Sequence, residues 1–486
     1  MNPLKKLFKQ TFIYGLATVL PRMFSFLLVP LYTYVLETSG YGKVSVIFAW
    51  FAIFNVILAY GMETAFFRFY SNTAEKTKVV STSLISILTT TLVFVILTLS
   101  FQTNLGEALN IDAKYIQYVI YILALDALVV VPFAWLRANE KPTRYALIKI
   151  ANVTINLCLN VFFLLGLPNL VQADPDSLFS AVYKPNFEIS YIFISNLIAS
   201  GITLLLMARV YIRSSYVFDK RIWKKMIRYS MPVMVAGIAF TINEVFDRVL
   251  LSELLPSDIA ESEIGKYSAC YKLALFMTLF GTAFRLGIEP FFFSHFSTEN
   301  PQKAYAQITN YFVILGSIIL LAVIVFADVL KVFLIPNAAY WEAMQVVPLI
   351  ILASFFLGIY HNLSVWYKVT DKTKYGAYIS LIGAVLTILI NYAFIPKWGY
   401  VASAIATLVA YGSMMLMSYV FGRMYYPVPY NLRKILFYLL ISVLFSVLSF
   451  YVFNRNLIVG SVLLLVFLGL VYKLENDKLK KIFLKR

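Results

Sequence analysis

Trp135-Leu-Arg-Ala-Asn-Glu140-Lys141 returns 231 residues later as Trp366-Tyr-Lys-Val-Thr-Asp371-Lys372, and this pairing decides how the chain is read. The same register carries Asn160-Val-Phe-Phe-Leu164 onto Asn391-Tyr-Ala-Phe-Ile395. Upstream, Gly61-Met-Glu63-Thr-Ala-Phe66-Phe67 matches Gly287-Ile-Glu289-Pro-Phe-Phe292-Phe293 at an offset of 226, and Gly42-Lys43 matches Gly265-Lys266 at 223. Apolar helices resemble one another by composition, but composition does not favour a shared Trp, acid-Lys pair and Asn. The matches therefore point to a duplicated chain, and the drifting offset needs only small loop insertions.

Both copies are flanked by apolar runs. The 486 residues are 61% hydrophobic and 13% charged, whereas an ordinary soluble domain carries about 25% charged residues. No soluble core can hide that surface, and no polar stretch is long enough for a separate soluble domain. With roughly 20 apolar residues per crossing, fourteen spans are expected. They begin near Thr11, Val44, Val79, Tyr115, Tyr145, Phe187, Ile227, Tyr267, Tyr305, Ala343, Tyr375, Gly399, Leu432 and Leu457. The last, Leu457 to Tyr472, is short, and the longest outer loop is expected from Pro168 to Lys184. The run from Thr11 to Leu36 is too long for a signal peptide and has no small-residue cleavage site, so it reads as the first span.

Of the 41 Lys and Arg, 30 fall in one alternate set of loops and termini and 7 in the other. Such a bias places both termini in the cytoplasm and supports the short last span, because the basic tail would otherwise face outward. It also accounts for the net charge of +17 without nucleic acid as a partner. Six spans per repeat, an even number, give the two halves the same orientation and relate them by an axis along the membrane normal. The fold class is thus an all-α integral membrane protein of about fourteen helices. It divides into a six-helix lobe at 1–220, a second at 221–424, and two further helices with a basic tail at 425–486.

The opening Phe12-Ile-Tyr-Gly15, Pro30-Leu-Tyr with its Gly40-Tyr-Gly42 turn, the Gly61-Met-Glu63 stretch and the Arg137 to Lys141 loop resemble the multidrug, oligosaccharidyl-lipid and polysaccharide exporter superfamily. Within it they resemble the bacterial polysaccharide-biosynthesis flippases, over almost the whole chain. The resemblance implies a V-shaped molecule of two six-helix lobes around a central cavity that opens alternately to each side. It implies transport of oligosaccharide linked to polyprenyl pyrophosphate across the bacterial inner membrane. A drug-extruding branch usually stops at twelve spans, so the final pair favours the lipid-linked branch. A drug or cation antiporter is the alternative. A polysaccharide polymerase and a coupling ion are candidate partners beside the substrate and membrane lipids, and no cofactor is expected.

Ionisable residues inside spans are costly and usually face a cavity or a partner. Arg22 has no acid within a helical turn in sequence. It reads either as a cation that meets pyrophosphate through its planar fork or as the partner of Asp126 or Glu244. Glu244 and Arg248 share a face at i, i+4, which leaves Asp247 over. An unpartnered buried carboxylate can carry a proton, so Asp126, Glu244 and Asp247 are the ion-coupling candidates. Arg22, Arg248, Arg285 and Lys272 are the candidates for substrate binding, although Lys272 also reads as a side chain that snorkels to the headgroups. Glu63 and Arg68 in span 2, with Arg285 and Glu289 at the matching end of span 8, read better as gate or lobe packing.

Other classes find less support. A membrane glycosyl polymerase is expected to carry a sizeable outer catalytic loop, and the loops here are short. No Gly-x-x-x-x-Gly-Lys-Ser/Thr sequence supports direct use of ATP. Cys158 and Cys270 fall in apolar runs and read as small hydrophobes, while His295 and His361 are far apart and offer no metal pair.

Overall fold

The computed structural model describes residues 3–295 and 300–483, with side chains at 13, 15–288 and 300–476. In chain order its principal helices are α1 (Pro3–Val35), α2 (Thr38–Ala59), α3 (Met62–Ser71), α4 (Lys76–Ser100), α5 (Ala113–Ala138), α6 (Pro142–Val161), α7 (Glu188–Ile212) and α8 (Lys220–Leu254). There follow α9 (Ser257–Tyr271), α10 (Leu275–His295), α11 (Pro301–Val325), α12 (Val347–Leu363), α13 (Lys374–Trp398), α14 (Tyr400–Tyr425), α15 (Leu432–Val447) and α16 (Leu457–Phe483).

Thirteen segments among the described residues are long and apolar enough to cross a bilayer. The span expected from near Ile227 falls on α8, a 35-residue helix that is not among the thirteen and that carries Glu244, Asp247, Arg248 and a basic start. The short last span passes, as Leu457–Asn476. The outer loop is shorter than expected, since the helix of span 5 continues through a π-helical turn at Phe162–Gly166 into Leu167–Ala173. The wide turn comes just before Pro168, whose missing N–H would otherwise interrupt a regular α-helix.

The chain forms two compact units, Met1–Gly265 and Lys266–Arg486. In the first, α1 packs on α6, while α5 is surrounded by α2, α3, α4 and α7. Met62, Phe66, Leu84, Ile87 and Met226 make a fully buried core there. Met226 comes from α8, which packs on α2, α3 and α4 and so sides by contact with the first unit, although the sequence division groups residues from 221 onward with the second lobe. Two successive left-handed residues, Tyr60 (φ 31°) and Gly61 (φ 68°), separate α2 from α3. Gly61 needs that φ, and a Cβ at this position would strike the Ser230 carbonyl of α8.

Within the same unit α2 and the start of α9 cross closely. A Cβ on Gly42 would collide with the Glu261 carbonyl, and one on Gly265 with the Thr38 carbonyl. Close approach of helix backbones at small residues is the usual means of holding membrane helices together. The Thr38 and Ser262 hydroxyls bond at 2.7 Å, and Lys43 pairs with Glu261 at 3.4 Å beside the crossing.

In the second unit α14 lies between α12 and α13, and α11 packs on α10, α12, α15 and α16. Phe355 presses on Gly316 and Phe312 on Gly358, so each ring fills the space that a glycine of the facing helix leaves. The last two helices are held by a buried acid: Glu475 accepts a hydrogen bond from Tyr438 Oη at 2.9 Å and pairs with Lys434.

The repeat is visible in geometry as well as in sequence. Glu140 (φ 51°) and Asp371 (φ 55°), 231 apart, are both left-handed non-glycine residues at the end of the matched loop. Asn160 and Asn391 are both fully buried, and each donates Nδ2 to the carbonyl four residues earlier, of Asn156 and Thr387. Each also accepts at Oδ1 from a hydroxyl, that of Tyr32 at 3.0 Å in the first case and of Ser403 at 2.7 Å in the second.

Candidate functional site

Arg22 lies on α1, one residue after Pro21. At 1.5 Å per residue it is about 20 Å from the Val35 end of the helix, inside a hydrocarbon layer of about 30 Å. Its side chain is exposed. A guanidinium exposed at that depth is costly against lipid and favourable against water or an anion. Pro21 and Pro30 each remove one bond from the α1 ladder, a loss that membrane helices tolerate where neighbours compensate.

The charges of α8 are arranged differently from the expected pairing. Arg248 Nη1 donates to Asp247 Oδ1 at 2.7 Å and to the Glu244 main-chain carbonyl at 3.0 Å, while the Arg248 backbone N–H donates to the same Asp247 oxygen at 2.9 Å. Asp247 and Arg248 are 2% and 7% exposed. The short Asp247 side chain folds back on its own helix and meets the guanidinium where desolvation is greatest. The Glu244 carboxylate points to an exposed position and has no ion-pair partner among the described residues. The carboxylate left over is therefore Glu244 rather than Asp247. Tyr41 of α2 lies within electrostatic reach of Arg248.

Asp126 of α5 accepts from Ser200 Oγ of α7 at 2.7 Å and sits in the field of Lys149. Lys149, one of the 30 Lys and Arg counted on the cytoplasmic side, lies within α6, with its ammonium 4.3 Å from the Phe133 ring centroid and in the fields of Asp126 and Glu63. It heads a polar stripe of Lys149, Asn152, Asn156 and Asn160, where Asn152 bonds Thr203 at 2.9 Å. The signal was present in the sequence as polar residues spaced three and four apart in an apolar run.

Glu63 and Arg68 of α3 do not meet each other. Glu63 pairs with Arg137 of α5 at 2.5 Å, and the Arg68 guanidinium stacks 4.4 Å from the Tyr229 ring centroid of α8. In the second unit Arg285 Nη1 lies 3.5 Å from His361 Nε2, a neighbour that sequence spacing did not suggest. Lys272 is exposed at the short 3₁₀ turn between α9 and α10. The Glu289 side chain lies outside the described residues. Cys158 is exposed and Cys270 buried, and no cluster of three His, Cys, Asp or Glu among the described residues is placed to hold a metal.

The family described as polysaccharide biosynthesis protein matches residues 7–284, more than half of the chain. The chain belongs to the polysaccharide biosynthesis protein family. A second family, MatE, matches residues 232–393 of this polysaccharide biosynthesis protein. No curated protein sequence matches it. Its fold is similar to that of a lipid II flippase MurJ in an inward closed conformation, with TM-score 0.73, 16% identity, and coverage of 95% of this chain and 99% of the other. It is also similar to a multidrug resistance MATE family transporter of the MOP superfamily in an inward-facing conformation, with TM-score 0.62, 15% identity, and coverage of 85% and 94%. A MOP superfamily transporter from Pyrococcus furiosus, described as having a binding pocket of reverse polarity, matches with TM-score 0.59 at 14% identity over 87% and 96%. At these identities the likeness establishes the fold. The matched families and structural neighbours are transporters and flippases rather than enzymes, and the chain is a multi-pass membrane protein.

Proposed function

We propose that this polysaccharide biosynthesis protein is a flippase that carries oligosaccharide linked to polyprenyl pyrophosphate from the cytoplasmic to the outer leaflet of the bacterial inner membrane by alternating access. The observation that carries the reading is the exposed Arg22 guanidinium within an apolar span. Its planar fork suits the oxygens of a pyrophosphate. Arg285 beside His361 is a separate candidate cation within the second unit, and Arg248, neutralised by Asp247, is better suited to positioning than to holding substrate. The family and the likeness to a lipid II flippase support a lipid-linked substrate. Asp126 and Glu244 remain the candidates for ion coupling, while Glu63 and Arg68 serve to pack α3 on α5 and α8.

The test is transport at matched protein levels. Arg22→Ala is expected to abolish surface polysaccharide and to accumulate lipid-linked oligosaccharide on the inner leaflet. Arg22→Lys, which keeps charge but loses the fork, is expected to retain part of the activity. Normal transport by Arg22→Ala would remove Arg22 as the phosphate contact. Glu244, an exposed acid in a span, favours the second reading, a drug or cation antiporter. Loss of drug efflux in Glu244→Gln with surface polysaccharide unchanged would decide for it.

Both termini are proposed to be cytoplasmic, from the 30 to 7 division of Lys and Arg. Asp258 and Lys224 are both exposed. In a background with Cys158 and Cys270 replaced by Ser, Asp258→Cys is expected to react with an impermeant thiol reagent in intact cells, and Lys224→Cys only after permeabilisation. The reverse pattern would invert the topology.

A further inference from the structure

A cavity of about 390 Å³ opens among the end of α3, the start of α4, the ends of α5 and α7 and the start of α6, wholly inside the first unit. Five of its twelve lining residues are cationic (Lys76, Lys141, Arg144, Arg209 and Arg213) and none is acidic. Its floor is aromatic: the Lys76 ammonium stands 5.2 Å from the Tyr70 ring centroid and that of Lys141 4.5 Å from Trp135. A cavity of about 430 Å³ at the opposite ends of α4 and α5 differs in kind, because there Lys43 is matched by Glu261 and accompanied by Glu107 and Asp112.

Like charges four apart on a helix repel, and Arg209 in the last turn of α7 and Arg213 at its C-cap stand in that relation. Their repulsion, added to that of Lys76, Lys141 and Arg144, is relieved when an anion sits between them. Arg presents a fork that matches phosphate oxygens. Exposed apolar side chains lie beside the cavity, outside its lining, where acyl chains would run. Arg144 Nη2 bonds the Leu206 carbonyl at 3.3 Å, which joins α6 to α7 at the cavity edge. Leu147, Leu205 and Ile212, each within a turn of one of these arginines, are 62%, 74% and 80% exposed. Basic pockets between membrane helices at the cytoplasmic surface are suited to anionic lipid headgroups, and the Lys and Arg distribution assigns these helix ends to the cytoplasm under the proposed topology.

We propose that this cavity is a binding site for the phosphate of an anionic phospholipid, held by Arg144, Arg209, Arg213, Lys76 and Lys141. The site is separate from Arg22 and needs no transported substrate. It ties the cytoplasmic ends of α4, α6 and α7 to the leaflet through one headgroup.

The experiment uses the full chain, purified in detergent and titrated with phosphatidylglycerol, with phosphatidylcholine and with inorganic phosphate. Bound lipid is counted by native mass spectrometry. Parent protein is expected to retain phosphatidylglycerol in preference to phosphatidylcholine, and Arg209→Gln/Arg213→Gln to bind it about 30-fold more weakly, as expected for two basic residues at a lipid surface. Lys220→Gln/Lys225→Gln, which removes two charges outside the cavity, is expected to bind as the parent does. Lys76→Gln/Lys141→Gln, which removes two other charges of the lining, is expected to weaken binding to a similar degree and decides the matter if the arginine double variant does not fold. Phosphatidylglycerol affinity unchanged in the cavity variants would overturn the site. Inorganic phosphate bound there with no preference for the anionic lipid would overturn the assignment to a headgroup in favour of a free anion.

Discussion

Arg248→Met is expected to destabilise the protein by about 3–5 kcal/mol, the range seen when one partner of a buried ion pair is removed and the other stays charged in a desolvated place. The cause is the depth of the pair: Asp247 and Arg248 are both nearly fully buried and share a 2.7 Å contact. Removing both charges should behave differently. Asp247→Leu combined with Arg248→Met deletes the desolvation penalty along with the attraction, so the double variant should recover most of what the single one loses. The measurement is the unfolding midpoint in detergent for the two single variants and the double, read as a double-mutant cycle. Equal midpoints for the parent and Arg248→Met would mean that water reaches the pair.

The second large effect is expected at the α2–α9 crossing. Gly42→Ala and Gly265→Ala each place a methyl group against a main-chain carbonyl, of Glu261 and of Thr38, which cannot rotate away as a side chain can. The loss for either should reach or exceed the upper end of the 1–3 kcal/mol typical of over-packing. Since either methyl forces the same two helices apart, the pair should cost clearly less than the sum of the singles. Gly469→Ala in α16, where a Cβ meets nothing within 4 Å, should be neutral or mildly stabilising, because alanine favours the helix. Both outcomes are read from unfolding midpoints together with protein level in the membrane. A neutral Gly265→Ala would show that the crossing is loose.

Hydropathy and charge read the spans well because both are sums along the chain. Residues 38–71 make one 34-residue segment long and apolar enough to cross, and at the Gly61-Met-Glu63 stretch Tyr60 and Gly61 turn α2 into α3. The duplication was legible for a similar reason, since Glu140 and Asp371 mark a backbone shape that the sequence has to encode locally. The candidate site was less legible. Which carboxylate meets Arg248 depends on how far each side chain is buried, and that is set by α2 and its neighbours rather than by spacing on α8. Lys149 counts as a loop charge in a tally of positive residues, and only the packing of α6 on α5 shows it in the field of Asp126. His361 beside Arg285 joins positions 76 apart through the contact of α10 with α12, and no local pattern announces it.

The placement of the last two helices has a consequence for synthesis. α11 is complete at Val325, yet α15, which packs along it, begins only at Leu432. At about 5–20 residues per second, the roughly hundred residues between them take about 5–20 s to emerge. For that interval the face of α11 that α15 later covers is turned to lipid or to the insertion machinery. Glu475, which joins Tyr438 and Lys434, emerges later still than Leu432. A nascent chain stalled before Leu432 would therefore present an unfinished second unit to quality-control proteases, even with every earlier span inserted.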